Sequence, residues 1–255
     1  MPGIPAPLVA VDGHPEPCGP YNAPMFPEGF LPLLIADTRE TAELQTLIRV
    51  EVPADYRAAY TTPGQYCKVA HPDHEKPGFF VIANAPGADH FEFLIKESSP
   101  LSATLRTLPV GHPLGVSAPA GKGFPLHFAE GRDVVLLAAG SGIAALRPIV
   151  QHLMRERDRY GRIRLIYGER TAERVAFRDE VPHWSGVVEC HCVVSQGVPA
   201  EIVTRQGYVQ DALKEVASDC AGTVAYICGM GPMVEACKQT FAELGGDPAA
   251  LFTNY

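Results

Sequence analysis

The sequence contains no Cys-x-x-Cys pair, no Lys or Arg before Arg39, and no apolar run near the roughly 18 residues that a membrane-spanning helix needs. Each absence excludes something. Without clustered thiolates there is no ligand set for a ferredoxin-type iron–sulfur module. Without an early cationic stretch, neither a signal peptide nor an Arg-rich transit peptide is expected. Without an apolar run, no membrane span is expected. Positive charge is also in short supply: 21 Lys and Arg stand against 29 Asp and Glu, a formal net charge of -8. Nucleic acid is therefore not expected as the main partner. The seven cysteines are odd in number and scattered through apolar segments. That pattern fits reduced thiols in a soluble protein of the cytoplasm or an organellar stroma or matrix, rather than a disulfide framework. In "ECHC", Cys190 and Cys192 share one face of a strand and His191 takes the other. No further ligands can be placed beside them, so buried strand thiols are expected and a metal is not.

The 255 residues, 46% hydrophobic and 20% charged, suit two compact domains. Prolines crowd the first 32 residues, and residues 1–40 read as an extended Pro-rich arm. Residues 41–128 carry short β-rich runs: "LQTLIRVEV", "GQYCKVA", "GFFVIAN", "FEFLIKE" and "PLGVSAPA". Turn residues separate them, and "SATLRTL" supplies one short helix. This predicts a small antiparallel β-barrel. Residues 129–255 change grammar, with "HFAEGRD" (127–133) as the boundary. Apolar strands such as "DVVLLAA", "IRLIYGE", "GVVECHCVVS" and "GTVAYICG" alternate with the helices "IAALRPIVQHLMRER", "AERVAFRDEVPHW", "GYVQDALKEVA" and "PMVEACKQTFAELG", before a last strand "ALFTNY". Strict alternation predicts an α/β domain with a parallel sheet and helices on both faces.

Two glycine turns stand out in this second half. "DVVLLAAGSGIAALRP" is strand, turn, helix. Gly140 and Gly142 allow close approach of a pyrophosphate, and the helix start beyond them offers unpaired N–H groups; a tight packing turn is the plainer alternative. Ala145 replaces the third glycine of the dinucleotide fingerprint, and Glu169 is a candidate ribose ligand. In "YICGMGPM", Cys228 ends a strand, with Gly229 and Gly231 before the next helix, so Cys228 either faces the same crevice or is simply a buried thiol.

Taken in order, "PGQYCKV", "GFFVIAN", "APAGKGF", "AAGSGIAALRP" with "IYGERT", and "CGMGPM" with a terminal aromatic resemble the ferredoxin–NADP reductase superfamily over about residues 40–255. "EKPGFFVIANAP", "FEFLIK" and "GYVQ" further resemble its plant fruit-protein, pKIWI-like branch. The resemblance implies a flavin-binding barrel followed by a pyridine-nucleotide domain, with FAD and NAD or NADP as cofactors. It implies electron transfer from NAD(P)H through FAD to an unidentified acceptor, a separate protein or a small molecule.

The family's Arg-x-Tyr-Ser/Thr flavin signature falls on Gly78, Phe80 and Val81, followed by Ile82. Phe80 keeps the area to lie against a flavin ring. Gly78 lacks the guanidinium that would fork onto phosphate, which Lys76 would have to replace. Val81 lacks the hydroxyl. Ser99 takes a glycine position in the second phosphate loop, where Ser102, Ala103 and Thr104 start a helix. Gly121 and Gly123 flank Lys122 in the loop that resembles the one beside the flavin's adenine side. Cys228, Gly229 and Met230 would seat the nicotinamide, and Tyr255 would cover the flavin ring. Ser195, Gln196 and Tyr208 match the positions that choose NADH or NADPH. Loss of an arginine there favours NADH, while Arg205 restores charge. Gly78, Val81 and Ser99 together also fit a rival reading, a structural or regulatory subunit with a degenerate flavin site.

Overall fold

A computed structural model describes residues 26–199 and 201–254. The first part is built from β1 (Phe30–Ala42), β2 (Gln45–Glu51), α1 (Ala54–Ala59), β3 (Tyr66–Ala70), β4 (Gly78–Val81), β5 (His90–Lys96), α2 (Pro100–Arg106) and β6 (Pro113–Ser117). The strands form one antiparallel sheet in the order β4-β3-β6-β1-β2-β5. A bridge from Ile82, just past β4, to Phe93 of β5 joins the two ends, so the sheet closes into a barrel. Ile48, Val50, Phe91, Phe93 and Ile95 point into it. The alternate residues Leu47 and Leu94, paired across β2 and β5, face outward into the core shared with the second domain. Both faces of these strands are buried, which is why their sequences read as nearly continuous apolar runs.

The second part holds β7 (Val134–Ala139), α3 (Ile143–Arg155), β8 (Ile163–Glu169), α4 (Val181–Trp184), β9 (Glu189–Val194), β10 (Val203–Gln206), α5 (Val209–Val216), β11 (Val224–Cys228), α6 (Gly231–Glu243) and β12 (Leu251–Thr253). All strand pairs are parallel, in the order β10-β9-β8-β7-β11-β12. Val134, Leu136, Ala138, Leu165 and Tyr167 pack towards α3 and the barrel. Val135, Leu137, Ile166, Ala225 and Ile227 pack towards α5 and α6 on the other face. No helix among the described residues is long and apolar enough to cross a membrane.

Three expectations need correction. Residues 30–40, read as part of the Pro-rich arm, belong to β1, which pairs with β6 through Phe30–Leu34 and then with β2 from Ile35. Pro32 is tolerated because that stretch pairs with β6 alone, so its missing N–H costs no ladder bond on the other side. The helix expected over "AERVAFRDEVPHW" is a short 3₁₀ turn (Ala172–Arg174) and the four-residue α4. Phe177 adopts φ 57°, a left-handed conformation that no helix contains, while Val175, Ala176 and Phe177 are drawn fully into the core. Strict alternation also fails between β9 and β10, which run parallel with no helix between them among the described residues.

Arg147, on α3, ties the domains together. Its Nη1 donates to the carbonyl of Ala83 (2.8 Å) and to Glu92 (2.5 Å) in the barrel. Its Nε and Nη2 donate to the two oxygens of Glu180 at 2.7 and 3.0 Å. The guanidinium lies 4.8 Å from the centroid of Phe177, and Arg39 of β1 also donates to Glu180 (2.9 Å). Four residues on, Gln151 accepts the N–H of Ala85 at 2.8 Å. The Arg147 side chain is only 7% exposed, so removing it leaves two part-buried carboxylates without their main partner. Arg147→Ala is expected to lower the unfolding free energy by about 3 kcal/mol, measured by urea denaturation with a probe in each domain.

Candidate functional site

The chain runs from β7 outward to β8, β9 and β10, then returns to place β11 on the other side of β7. The sheet's switch point therefore lies between the carboxyl ends of β7 and β11, where open α/β sheets bind ligands. The two glycine turns meet here. Gly140 opens a 3₁₀ turn with φ 59°, and Gly142 ends it before α3. A Cβ on Gly142 would lie 2.2 Å from the carbonyl oxygen of Cys228, so this glycine is what lets the two strand ends touch. Gly229 is held in the same way against Ala139 and Met233.

A cleft of about 1050 Å³ opens in front of these turns and reaches the barrel. Among the sequence-derived site residues it gathers Phe80, Val81, Ser102, Gly140, Gly142, Ser195, Cys228, Gly229 and Met230. It does not gather Ile82, which is fully buried in the barrel with its N–H on the carbonyl of Gln65. Ala103 is also outside, its N–H bonded to the carbonyl of Ser99 at 2.9 Å. Gly121 packs on the ring of Tyr66, and Gly123 stands against Pro63 and Thr62. Lys122 between them lines a separate, smaller cleft with His152 and Arg155. Tyr255 lies outside the described residues.

The barrel wall shows what the altered signature does. A Cβ on Gly78 would sit 2.6 Å from the ring of Phe80 and 3.1 Å from Leu101. Phe80 therefore leans back over the glycine, and an arginine side chain cannot stand there while the ring keeps this position. The turn before α2 is also closed on itself. Its N-cap is Ser99. Ser99 Oγ accepts the N–H of Ser102 (3.2 Å), and Ser102 Oγ accepts those of Ser98 and Ser99 (2.9 Å each). The capping box occupies the N–H of Ser102, and that of Ala103 goes to the Ser99 carbonyl, so neither is left open for a phosphate. An FAD ring fits the Phe80 wall; on the barrel side, neither Gly78 nor the α2 turn supplies the phosphate clamp.

Lys76 does not line the cleft, but Lys96 does. Its Nζ donates to both oxygens of Glu169 at 2.7 and 3.0 Å, across the domain boundary. Glu169, only a candidate ribose ligand in the sequence, is thus already engaged. The sequence signal for Lys96 was faint: one cation ending the apolar run "FEFLIK". At the far end of the cleft, Arg170 donates to Gln196 (2.8 Å) beside Ser195, Gly207 and Tyr208. Arg205 instead pairs with Glu215 and lies outside the cleft, so the cation near Ser195 is Arg170.

Burial pushes the Cys228 thiol up to about 11. It is a neutral thiol near pH 7, which suits packing or positioning and not nucleophilic attack. Alkylation of Cys228 by iodoacetamide is expected to be slow at pH 7 and to rise about tenfold per pH unit between pH 7 and 9, followed by peptide mass spectrometry. A rate that levels off by pH 8 would contradict the buried neutral thiol.

Residues 136–239 match the family described as the oxidoreductase NAD-binding domain. The chain is 26% identical over 203 residues to the sulfhydrogenase 2 subunit gamma of Pyrococcus furiosus, covering 69% of this chain and 70% of that one. It is 31% identical over 185 residues to the propane 2-monooxygenase reductase component of Mycolicibacterium goodii, covering 68% of this chain. The chain spans about half (53%) of that relative's length. Among solved structures, a ferredoxin NADP+ reductase from Neisseria gonorrhoeae with bound FAD and NADP superposes with a TM-score of 0.75 at 20% identity, covering 88% of this chain and 98% of that one. The ferredoxin reductase in carbazole 1,9a-dioxygenase superposes equally well, with a TM-score of 0.75 at 19% identity over 88% of this chain and 68% of that one. The chain has the two-domain fold of the ferredoxin–NADP reductase-type oxidoreductases, and the match to the oxidoreductase NAD-binding domain covers its residues 136–239.

Proposed function

We propose that the protein is an FAD-dependent NAD(P)H oxidoreductase that delivers electrons to a separate acceptor. One observation carries this: a single cleft joins the paired glycine turns at the sheet's switch point to the Phe80 wall of the barrel. FAD, when bound, supplies the exchange between a hydride and one- or two-electron delivery. The chain's own residues supply alignment. Gly140, Gly142 and Gly229 shape the nucleotide floor, Cys228 presents a neutral thiol beside it, and Phe80 presents ring area opposite. Met230 and Ser195 border the same space. The words "reductase component" and "subunit gamma" in the relatives' names support a protein acceptor. The six cysteines among the described residues are free thiols, which supports a reducing compartment. Arg170 beside Ser195 offers a cation to NADPH, while Gln196 and the outward-paired Arg205 suit NADH, so both nucleotides belong in the assay.

The second reading, a non-catalytic subunit of reductase fold, is favoured by the occupied space over Gly78 and by the capping box before α2. The two readings part on flavin. The enzyme reading expects yellow protein after incubation with FAD and gel filtration, and NADH- or NADPH-dependent reduction of ferricyanide that requires the added FAD. Protein that stays colourless and binds nicotinamide nucleotide without turnover would leave the non-catalytic reading standing. A second measurement isolates the ring contact. Phe80→Ala is expected to weaken FAD binding about tenfold, the scale of an aromatic stacking contact, and Phe80→Tyr to leave it within about twofold, both read by flavin fluorescence quenching.

A further inference from the structure

Lys96 and Glu169 stand where the proposed nucleotide site needs positive charge. The Lys96 ammonium lies 3.1 Å from where a Cβ on Gly140 would be, so it sits at the open face of the glycine turn. Its side chain is 26% exposed and reaches the cleft, whereas that of Glu169 is 3% exposed. Among the described residues, every hydrogen-bond partner of the Glu169 carboxylate donates to it. Lys96 gives two hydrogen bonds, Gln45 Nε2 one at 3.2 Å, the backbone N–H of Arg170 one at 3.2 Å, and the Tyr167 hydroxyl one at 3.4 Å. Gln45 spends its other N–H contact on the carbonyl of Arg174 (2.6 Å) and leaves its Oε1 buried and unpaired. The surroundings are thus built to hold a fixed carboxylate. Of the two partners, the lysine is the one with solvent access and a flexible stem.

We infer that Glu169 is a built-in competitor for the cleft's phosphate-binding cation: it holds Lys96 against the Gly140 turn until the phosphates of a dinucleotide draw the ammonium away. The inference rests on the nucleotide reading of the cleft given above. A phosphate arriving at Gly140 meets a lysine already neutralised by a carboxylate that cannot retreat. Binding therefore exchanges one ion pair for another, and the gain from Lys96 is reduced by whatever Glu169 loses. Glu169 in this role is a positioning and affinity-setting residue, not a catalytic one.

The test uses the full-length protein and calorimetric titration with ADP-ribose, which carries the two phosphates, and with adenosine, which carries none. Glu169→Gln, nearly isosteric, is expected to bind ADP-ribose about tenfold more tightly than wild type, an improvement of about 1.4 kcal/mol, with adenosine affinity unchanged. Lys96→Met is expected to bind ADP-ribose at least about tenfold more weakly, because Glu169 then faces the phosphates uncompensated. If the pair is only a domain brace, both substitutions lower the melting temperature and neither tightens ADP-ribose. Equal or weaker ADP-ribose binding by folded Glu169→Gln overturns the inference, as does unchanged binding by Lys96→Met. If neither wild type nor Glu169→Gln binds ADP-ribose at any concentration tested, the nucleotide reading itself fails and takes the inference with it.

Discussion

The arrangement of the site depends on one buried guanidinium. Arg147 stands five residues beyond Gly142 on the same helix, so the element that begins at the glycine turn also carries the clamp that grips the barrel. A guanidinium cannot be stripped of water unless its donors are met, and here Ala83, Glu92 and Glu180 meet them from two domains. The planar fork fixes direction as well as distance. The cleft has one wall from each domain, and its width is set by how α3 is seated on the barrel. Leu47, Leu94 and Ala83 add apolar contact to that seat but little direction. The ionic fork supplies the direction.

How much of this was legible follows from how local each feature is. The β7-turn-α3 unit and the turn after β11 could be read because strand, glycine and helix follow one another in sequence. The barrel could be read from short β-rich runs between turns. β1 was hidden because Pro32 and its flanking prolines look like an arm, and only pairing with β6 shows that the missing N–H is harmless. The break at Phe177 was hidden because apolar spacing over residues 172–184 fits a helix, and tertiary burial overrode it. Arg147–Glu92 and Lys96–Glu169 join residues 55 and 73 positions apart, and no periodicity carries such information. Lys76 and Glu169 stand beside recognisable motifs, but motif proximity is not spatial proximity.

The barrel side shows how one residue sets the position of its neighbour. Against the flavin signature that the sequence resembles, Gly78 reads as a loss of charge. Here it is also a gain of space, which the Phe80 ring fills together with Leu101. The two changes are coupled: restoring a long side chain at position 78 requires Phe80 to rotate, and rotation would alter the only aromatic surface that β4 presents within the partly buried wall. Phe79, the neighbouring ring, is 66% exposed and turned towards Lys68 and Tyr66. The altered signature is therefore a self-consistent surface and not a scatter of missing contacts, which is why ring binding and phosphate binding must be judged separately.

Electrostatics then decides which end of a ligand the cleft can hold. The protein as a whole carries a formal charge of -8, so an anionic dinucleotide approaches against the average field. Among the described residues the cleft lining reverses this locally with Lys96, Arg170 and Arg174, against the carboxylate of Glu169. Arg174 is partly spent on Glu43 and Lys96 on Glu169, while the Arg170 side chain, among the described residues, donates to the neutral amide of Gln196. The least neutralised cation is thus at the end of the cleft formed by β8, β9 and Tyr208, and the most neutralised one is at the glycine turn. A ligand anchored first at the Arg170 end gains charge pairing there without displacing an existing ion pair. On the inference drawn above, its central phosphates at Gly140 would then compete with Glu169 for Lys96. The outer cation would in that case add affinity that the inner ion pair limits.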